Sequence, residues 1–154
     1  MSKYDEQLLE FESYARGNVS VESCMQHMAQ RLHENTTRYN WVGFYLMEAP
    51  ACDTLVLGPY VGSFTPTPRI PIDKGLCGAA ATTGKTVVIN NVAADSRYLG
   101  SDNVKSNIVV PITVKGRVMA ELDVESYFAD AFPPAEQKFL EACARLVERQ
   151  MQRS

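Results

Sequence analysis

Apolar residues recur every three to four positions near both ends of this chain and every second position through much of its middle, and that change of period predicts its elements. From Tyr4 to Tyr14, Leu8, Leu9 and Phe11 stand among acids, as suits a short surface helix that Gly17 ends. Ser20 can cap a second helix, with Ser23 where a capping box would place Glu, and Cys24, Met25, Met28, Ala29 and Leu32 form its apolar stripe. In a last helix after Pro133 and Pro134, Phe139, Leu140, Cys143, Leu146 and Val147 recur at helical spacing, with acids early and arginines late to suit the dipole.

Between these helices the pattern is that of strands. Residues 41–47 are aromatic and β-branched, and 54–60 follow after a turn with Pro50 and Asp53, so the two predict a hairpin. Residues 62–68 read as a loop over a pocket, and 69–72 as extended chain. Gly75 and Gly78 flank Cys77, Ala79 to Ala81 favour helix and Gly84 stops it, which places a thiol in the first turn of a short helix. Residues 86–90 predict a strand, 91–106 a loop with one helical turn, and 108–114 and 117–124 a central hairpin turning at Lys115-Gly116. The fold class expected is mixed α/β (α+β): an antiparallel sheet flanked by helices, with the N- and C-terminal helices packed together on one face.

Composition narrows the function classes. A chain of 154 residues, 45% apolar and 21% charged, suits one domain over 1–154 with its core at about 21–150. A net charge of -3 and a pI near 5.4 give no basic field for a phosphate backbone, so no nucleic-acid partner is expected. No apolar run nears the roughly 20 residues that span a bilayer, and the polar start is unlike a signal peptide, so no membrane partner and a cytoplasmic location are expected. Cys24, Cys52, Cys77 and Cys143 lack metal spacing, so neither metal nor cofactor is anticipated.

Several segments together carry a family likeness: 41–45 (Trp-Val-Gly-Phe-Tyr), 55–59 (Leu-Val-Leu-Gly-Pro), Arg69-Ile-Pro-Ile through Gly75-Leu-Cys77-Gly, 108–111 (Ile-Val-Val-Pro) and 122–126 (Leu-Asp-Val-Glu-Ser). From about Met25 to Arg149 the chain resembles a GAF domain, and within that superfamily it is similar to the free methionine-(R)-sulfoxide reductases. The resemblance implies a domain that buries free methionine sulfoxide, takes the oxygen on a cysteine and recovers through disulfides reduced by thioredoxin. It implies that Trp41 and Tyr45 enclose the ligand's apolar end and that Asp123 and Glu125 hold its ammonium group. The chain also departs from the family. Thr67 stands where the first family cysteine lies, ten residues before Cys77, and Gly100 where the third lies, eleven before Pro111. Asn107 replaces an expected carboxylate, and Glu125 a more usual Asp.

Each candidate has a competing role. Cys77 is either an attacking thiol, its pKa lowered by the helix start with Arg69 and Lys74 nearby, or a small buried hydrophobe. Cys24 and Cys143 fall on apolar stripes and read as core, while Cys52 lies in a turn expected to be exposed and is a remote candidate for resolving Cys77. Glu121, Asp123 and Glu125 share one strand face, which either lines a pocket for a cationic or donor-rich ligand or is solvated, with Glu121 expected to be solvated. Trp41 and Tyr45 are core or cage, and Gly43 between them leaves room for a close approach. Ser106 and Asn107 either meet a ligand or serve a loop. The function expected is a ligand-binding sensor domain for a small polar molecule such as an amino acid, catalytically degenerate; the alternative is an active reductase using Cys77 with an external thiol. The apolar stripes of the terminal helices suggest a homodimer.

Overall fold

The computed structural model describes residues 1–64, 66–98 and 103–154. Helix α1 (Lys3–Ala15) begins at Ser2, whose hydroxyl accepts from the Asp5 N–H while the Asp5 carboxylate accepts from the Ser2 N–H. Ser20 caps α2 (Val21–Asn35) by accepting from Ser23 N–H. The strands are β1 (Trp41–Met47), β2 (Thr54–Gly62), β3 (Arg69–Pro71), β4 (Val87–Ile89), β5 (Ser106–Val114) and β6 (Arg117–Ser126), with α3 (Gly75–Thr83) between β3 and β4 and α4 (Pro134–Arg153) at the end. A 3-10 turn at Val92–Ala94 supplies the helical turn expected in that loop.

The six strands form one antiparallel sheet in the order β3-β2-β1-β6-β5-β4. Lys115 and Gly116 both take positive φ, 52° and 79°, as a tight hairpin of the primed type needs, and they bring Val114 opposite Arg117. Alternation then sorts the side chains. One face carries Val42 and Phe44 of β1, Ile108, Val110 and Ile112 of β5, and Ala120, Leu122 and Val124 of β6. These pack against Met25, Met28, Ala29 and Leu32 of α2 and Phe139, Leu140, Cys143 and Val147 of α4, with Phe11 of α1 alongside. Fully burying such a side chain contributes roughly 1.5–3 kcal/mol, so this layer carries most of the stability. Cys143 is buried in this layer, and Cys24 is buried as well, as expected. The terminal-helix stripes are taken up by the chain's own core, so they do not by themselves call for a second copy.

The opposite face is covered by α3. Leu76, Cys77 and Ala80 pack there with Trp41, Tyr45, Leu55 and Val109. Gly78 lets α3 close against the turn that leads into it: a Cβ at this position would lie 2.5 Å from the Ile72 carbonyl oxygen.

Candidate ligand-binding site

Register brings the site together. Pairing of β1 with β6 sets Trp41 opposite Glu125, Gly43 opposite Asp123 and Tyr45 opposite Glu121. Pairing of β5 with β6 sets Asn107 opposite Glu125, Val109 opposite Asp123 and Pro111 opposite Glu121. Directly paired residues point to one face, so the three β6 acids lie in a row on the side that α3 covers. This face is not solvated: Asp123 and Glu125 are buried, and Glu121 is 0% exposed, against the expectation that it would meet water.

A cavity of about 520 Å³ opens between the sheet and the start of α3. Asp123, Glu125 and Asn107 contribute polar groups, Tyr45, Phe64 and Tyr98 contribute rings, and Cys77 contributes a thiol. Thr67 lines it as well, so the residue at the first family cysteine position stands on the cavity wall, where its carbonyl accepts from the Tyr45 hydroxyl at 2.9 Å. Gly100, at the position of the third, lies outside the described residues.

Trp41 is placed differently from the expectation. It is not among the residues lining the cavity but stands fully buried behind them, its ring near those of Tyr45 (6.4 Å), Tyr60 (5.6 Å) and Phe64 (5.9 Å). The space that Gly43 leaves is filled by this indole, since a Cβ there would lie 2.4 Å from Trp41 Cη2. Gly62 serves the same ring, its Cβ position being 2.3 Å from Trp41 Cδ1. Ser106 is also a structural residue: buried, it donates to the Phe128 carbonyl at 2.6 Å and accepts from Ala131 N–H.

Asn107 Nδ2 donates to Asp123 Oδ1 at 2.7 Å and to the Val124 carbonyl at 2.9 Å. Here the amide supplies a donor that the expected carboxylate would lack, and it holds Asp123 in place. Tyr98 donates to Glu125 Oε1 at 2.7 Å. Among the described residues no lysine, arginine or histidine forms an ion pair with Asp123 or Glu125. Burial, and then the charge of Glu125, hold the Asp123 carboxyl well above the usual range, with Asn107 and Cys77 opposing. Burial pushes Glu125 up to about 7, opposed by the Tyr98 hydrogen bond.

Cys77 is 6% exposed, and its Sγ lies 3.8 Å from Asp123 Oδ2. Burial first, then the charges of Asp123, Glu121 and Glu125, push its thiol up rather than down. The helix start does not overcome these effects. Arg69, expected to assist, is tied to Glu48 through Nη1 and Oε2 at 2.9 Å. Cys52, expected to be exposed, is partly buried in the β1–β2 turn with a φ of 55°.

The sequence reading missed Phe64 and Tyr98, which sit in segments without a period and reach the cavity only through the tertiary fold. It also misjudged Glu121, although the two-residue spacing from Asp123 already placed all three acids on one face. Among the described residues no group of three or more His, Cys, Asp or Glu could hold a metal ion, and no helix is long and apolar enough to cross a membrane.

An antiparallel sheet backed by the terminal helices, with a short helix closing a cavity over its other face, defines a GAF-like domain. A GAF domain family model matches residues 20–151, and the chain belongs to that family. It is homologous to free methionine-R-sulfoxide reductases. It is 30% identical to that of Escherichia coli (strain K12) over 141 residues, which cover 91% of this chain and 83% of the relative. The solved free methionine-R-sulfoxide reductase of Neisseria meningitidis, in complex with its substrate, superposes with a TM-score of 0.90 at 32% identity, covering 97% of this chain and 90% of that one. The type II enzyme of Thermoplasma acidophilum superposes with a TM-score of 0.78 at 30% identity, covering 93% and 96%.

Proposed function

We propose that this GAF domain binds a small zwitterion of the amino-acid type in its cavity and does not reduce it. The observation that supports this is the pair Asp123 and Glu125, buried on the cavity wall without an ion-pair partner among the described residues. Buried carboxylates are costly unless compensated, and a ligand ammonium group would offset that cost. The cavity also offers donors to an anion. Gly75, Leu76 and Cys77 line it at the start of α3, where the first N–H groups of a helix lack intrahelical partners, and Lys74 stands at the cap. Tyr45 and Phe64 offer apolar surface for the remainder of the ligand, and the volume lies within the range of small-molecule sites.

Turnover fits the residues less well. Thiol reduction of a sulfoxide leaves a sulfenic acid that a second thiol must resolve. Cys77 is the one cysteine lining the cavity among the described residues, and its surroundings oppose the thiolate. Its place on the wall is nevertheless the observation that favours a reductase using an external thiol, so the test must separate the two readings. The reading also includes cytoplasmic residence and pairing of two copies, the latter checked by light scattering.

Thermal unfolding is followed with methionine, methionine-(R)-sulfoxide and other amino acids at millimolar concentration. Ligand at about 100 times its Kd adds about 2.7 kcal/mol and raises Tm. Methionine release is then measured with dithiothreitol for wild type and Cys77→Ser. A thermal shift without turnover is expected. No shift with any amino acid would refute the binding reading, and turnover that Cys77→Ser abolishes would replace it with the reductase.

A further inference from the structure

Glu125 stands where the family resemblance points to Asp, and in this chain the additional methylene has a use. It carries the carboxyl out to the Tyr98 hydroxyl, which donates to Oε1 at 2.7 Å. An aspartate here would draw the carboxyl back by about 1.5 Å, the length of one C–C bond, and the hydrogen bond would be lost. Tyr98 comes from a braced segment between β4 and β5. The Val92 N–H donates to the Lys105 carbonyl at 2.9 Å, and Asp95 accepts from the Arg97 N–H at 2.9 Å and from its guanidinium at 2.7 Å. The Tyr98 ring packs against the cluster that contains Leu76, Cys77 and Val109, and it lines the cavity.

We propose that Tyr98 is a positioning residue for the cavity acids: tied to Oε1, it fixes Glu125 so that Oε2 is left for the ligand's ammonium group, and the site is fully competent only when Glu125 is ionised. This inference rests on the binding reading above and adds to it a residue and a pH dependence. Oε2 accepts no hydrogen bond from the described residues. Each cavity acid is thus held by one neutral donor, Asp123 by Asn107 at 2.7 Å and Glu125 by Tyr98. Such donors orient a carboxylate without supplying the positive charge that a ligand would bring. Across the strands Glu125 faces Trp41 on β1 and Asn107 on β5, neither of them charged, and along β6 it faces Asp123. Elsewhere on the cavity wall stand Cys77 of α3, Lys74 at its cap, the Tyr45 hydroxyl bonded to the Thr67 carbonyl, and Arg69 paired with Glu48. A hydroxyl that donates to a carboxylate favours the ionised form, so Tyr98 draws Glu125 toward its charged state against the burial that opposes it.

The test compares the full chain with Tyr98→Phe, which keeps the ring and removes the donor. Carboxyl carbon NMR of isotope-labelled protein without ligand follows the Glu125 titration, assigned by its loss in Glu125→Gln. The midpoint should be about 7 in the parent and about one pH unit higher in Tyr98→Phe. Affinity for methionine, measured by calorimetry, should fall about fivefold at pH 7, and the two proteins should converge toward pH 9 as Glu125 ionises in both. A loss caused only by altered packing of the loop would be the same at every pH. Glu125→Asp withdraws the carboxyl and leaves Tyr98 in place, so adding Tyr98→Phe to it should change neither midpoint nor affinity. An unchanged Glu125 midpoint in Tyr98→Phe, an affinity loss independent of pH, or a full effect of Tyr98→Phe in the Glu125→Asp background would overturn the proposal. If neither methionine nor any other amino acid binds either protein, the binding reading fails, while the titration without ligand still decides whether Tyr98 governs Glu125.

Discussion

Raising the pH should weaken this fold across a range where most proteins are steady, and Glu125 is the group through which to see it. Its carboxyl is pushed by burial from an ordinary 4.5 up to about 7. Between those values the native protein holds a proton that the unfolded chain has lost, so stability falls as pH rises. The contribution is complete below about pH 4.5 and is gone above about 7. At about 1.4 kcal/mol per unit of pKa, this single group accounts for a fall of about 3 kcal/mol. Asp123 and Glu121 are also raised, so they act with the same sign. Glu10 and Asp95 are lowered by Arg31 and Arg97, and their contributions are lost only as pH drops below the ordinary carboxylate range. Urea unfolding from pH 5 to 8, followed by Trp41 fluorescence, measures the slope. Wild type should lose stability through this range, and Glu125→Gln should lessen the loss by the share of that one group, leaving the slope that Asp123 and Glu121 supply. A ligand ammonium beside the acids should reverse the trend, giving larger thermal shifts at pH 8 than at pH 5. Wild-type stability that is flat or rises with pH, or an unchanged slope in Glu125→Gln, would refute the reasoning.

Gly43→Ala places a methyl group 2.4 Å from the Trp41 ring and 2.7 Å from Tyr60 Cβ, so it should cost about 1–3 kcal/mol and shift Trp41 emission; an unchanged urea midpoint would show that the indole is free to move. Asn107→Ala removes two buried hydrogen bonds, one of them to a carboxyl, and should destabilise by about 2 kcal/mol in urea. Leu122→Ala, on the helical face of β6, should cost about 2–5 kcal/mol by leaving a cavity, measured in the same way.

The fold was legible where period and punctuation agreed. The aromatic and β-branched run at 41–47, the Lys115-Gly116 turn and the stripe from Cys24 to Leu32 each specify their element through local chemistry, and the structure has them there. The site was legible in its members but less so in their environment. Spacing put Glu121, Asp123 and Glu125 on one face, yet whether that face meets water depends on α3, a separate element whose residues Leu76, Cys77 and Ala80 pack over it. The same burial reversed the expectation for Cys77, because the start of a helix favours a thiolate only if nearby charges do not oppose it. Trp41 was placed correctly on its strand, but its position behind Tyr45 depends on Gly62, which lies on a different strand.

Strand β6 carries two alternating sets of residues. Leu122 and Val124 enter the hydrocarbon layer, while Glu121, Asp123 and Glu125 face the other way. Substitution at the odd-numbered positions can therefore change the chemistry of the cavity and leave the main core intact, which gives descendants of such a chain room to diversify. Insertion or deletion of one residue has a different outcome. It would exchange the sets, driving carboxylates into the layer beneath α2 and α4 and turning leucine and valine toward the cavity. Change along this strand should therefore be tolerated as substitution and eliminated as a shift of frame.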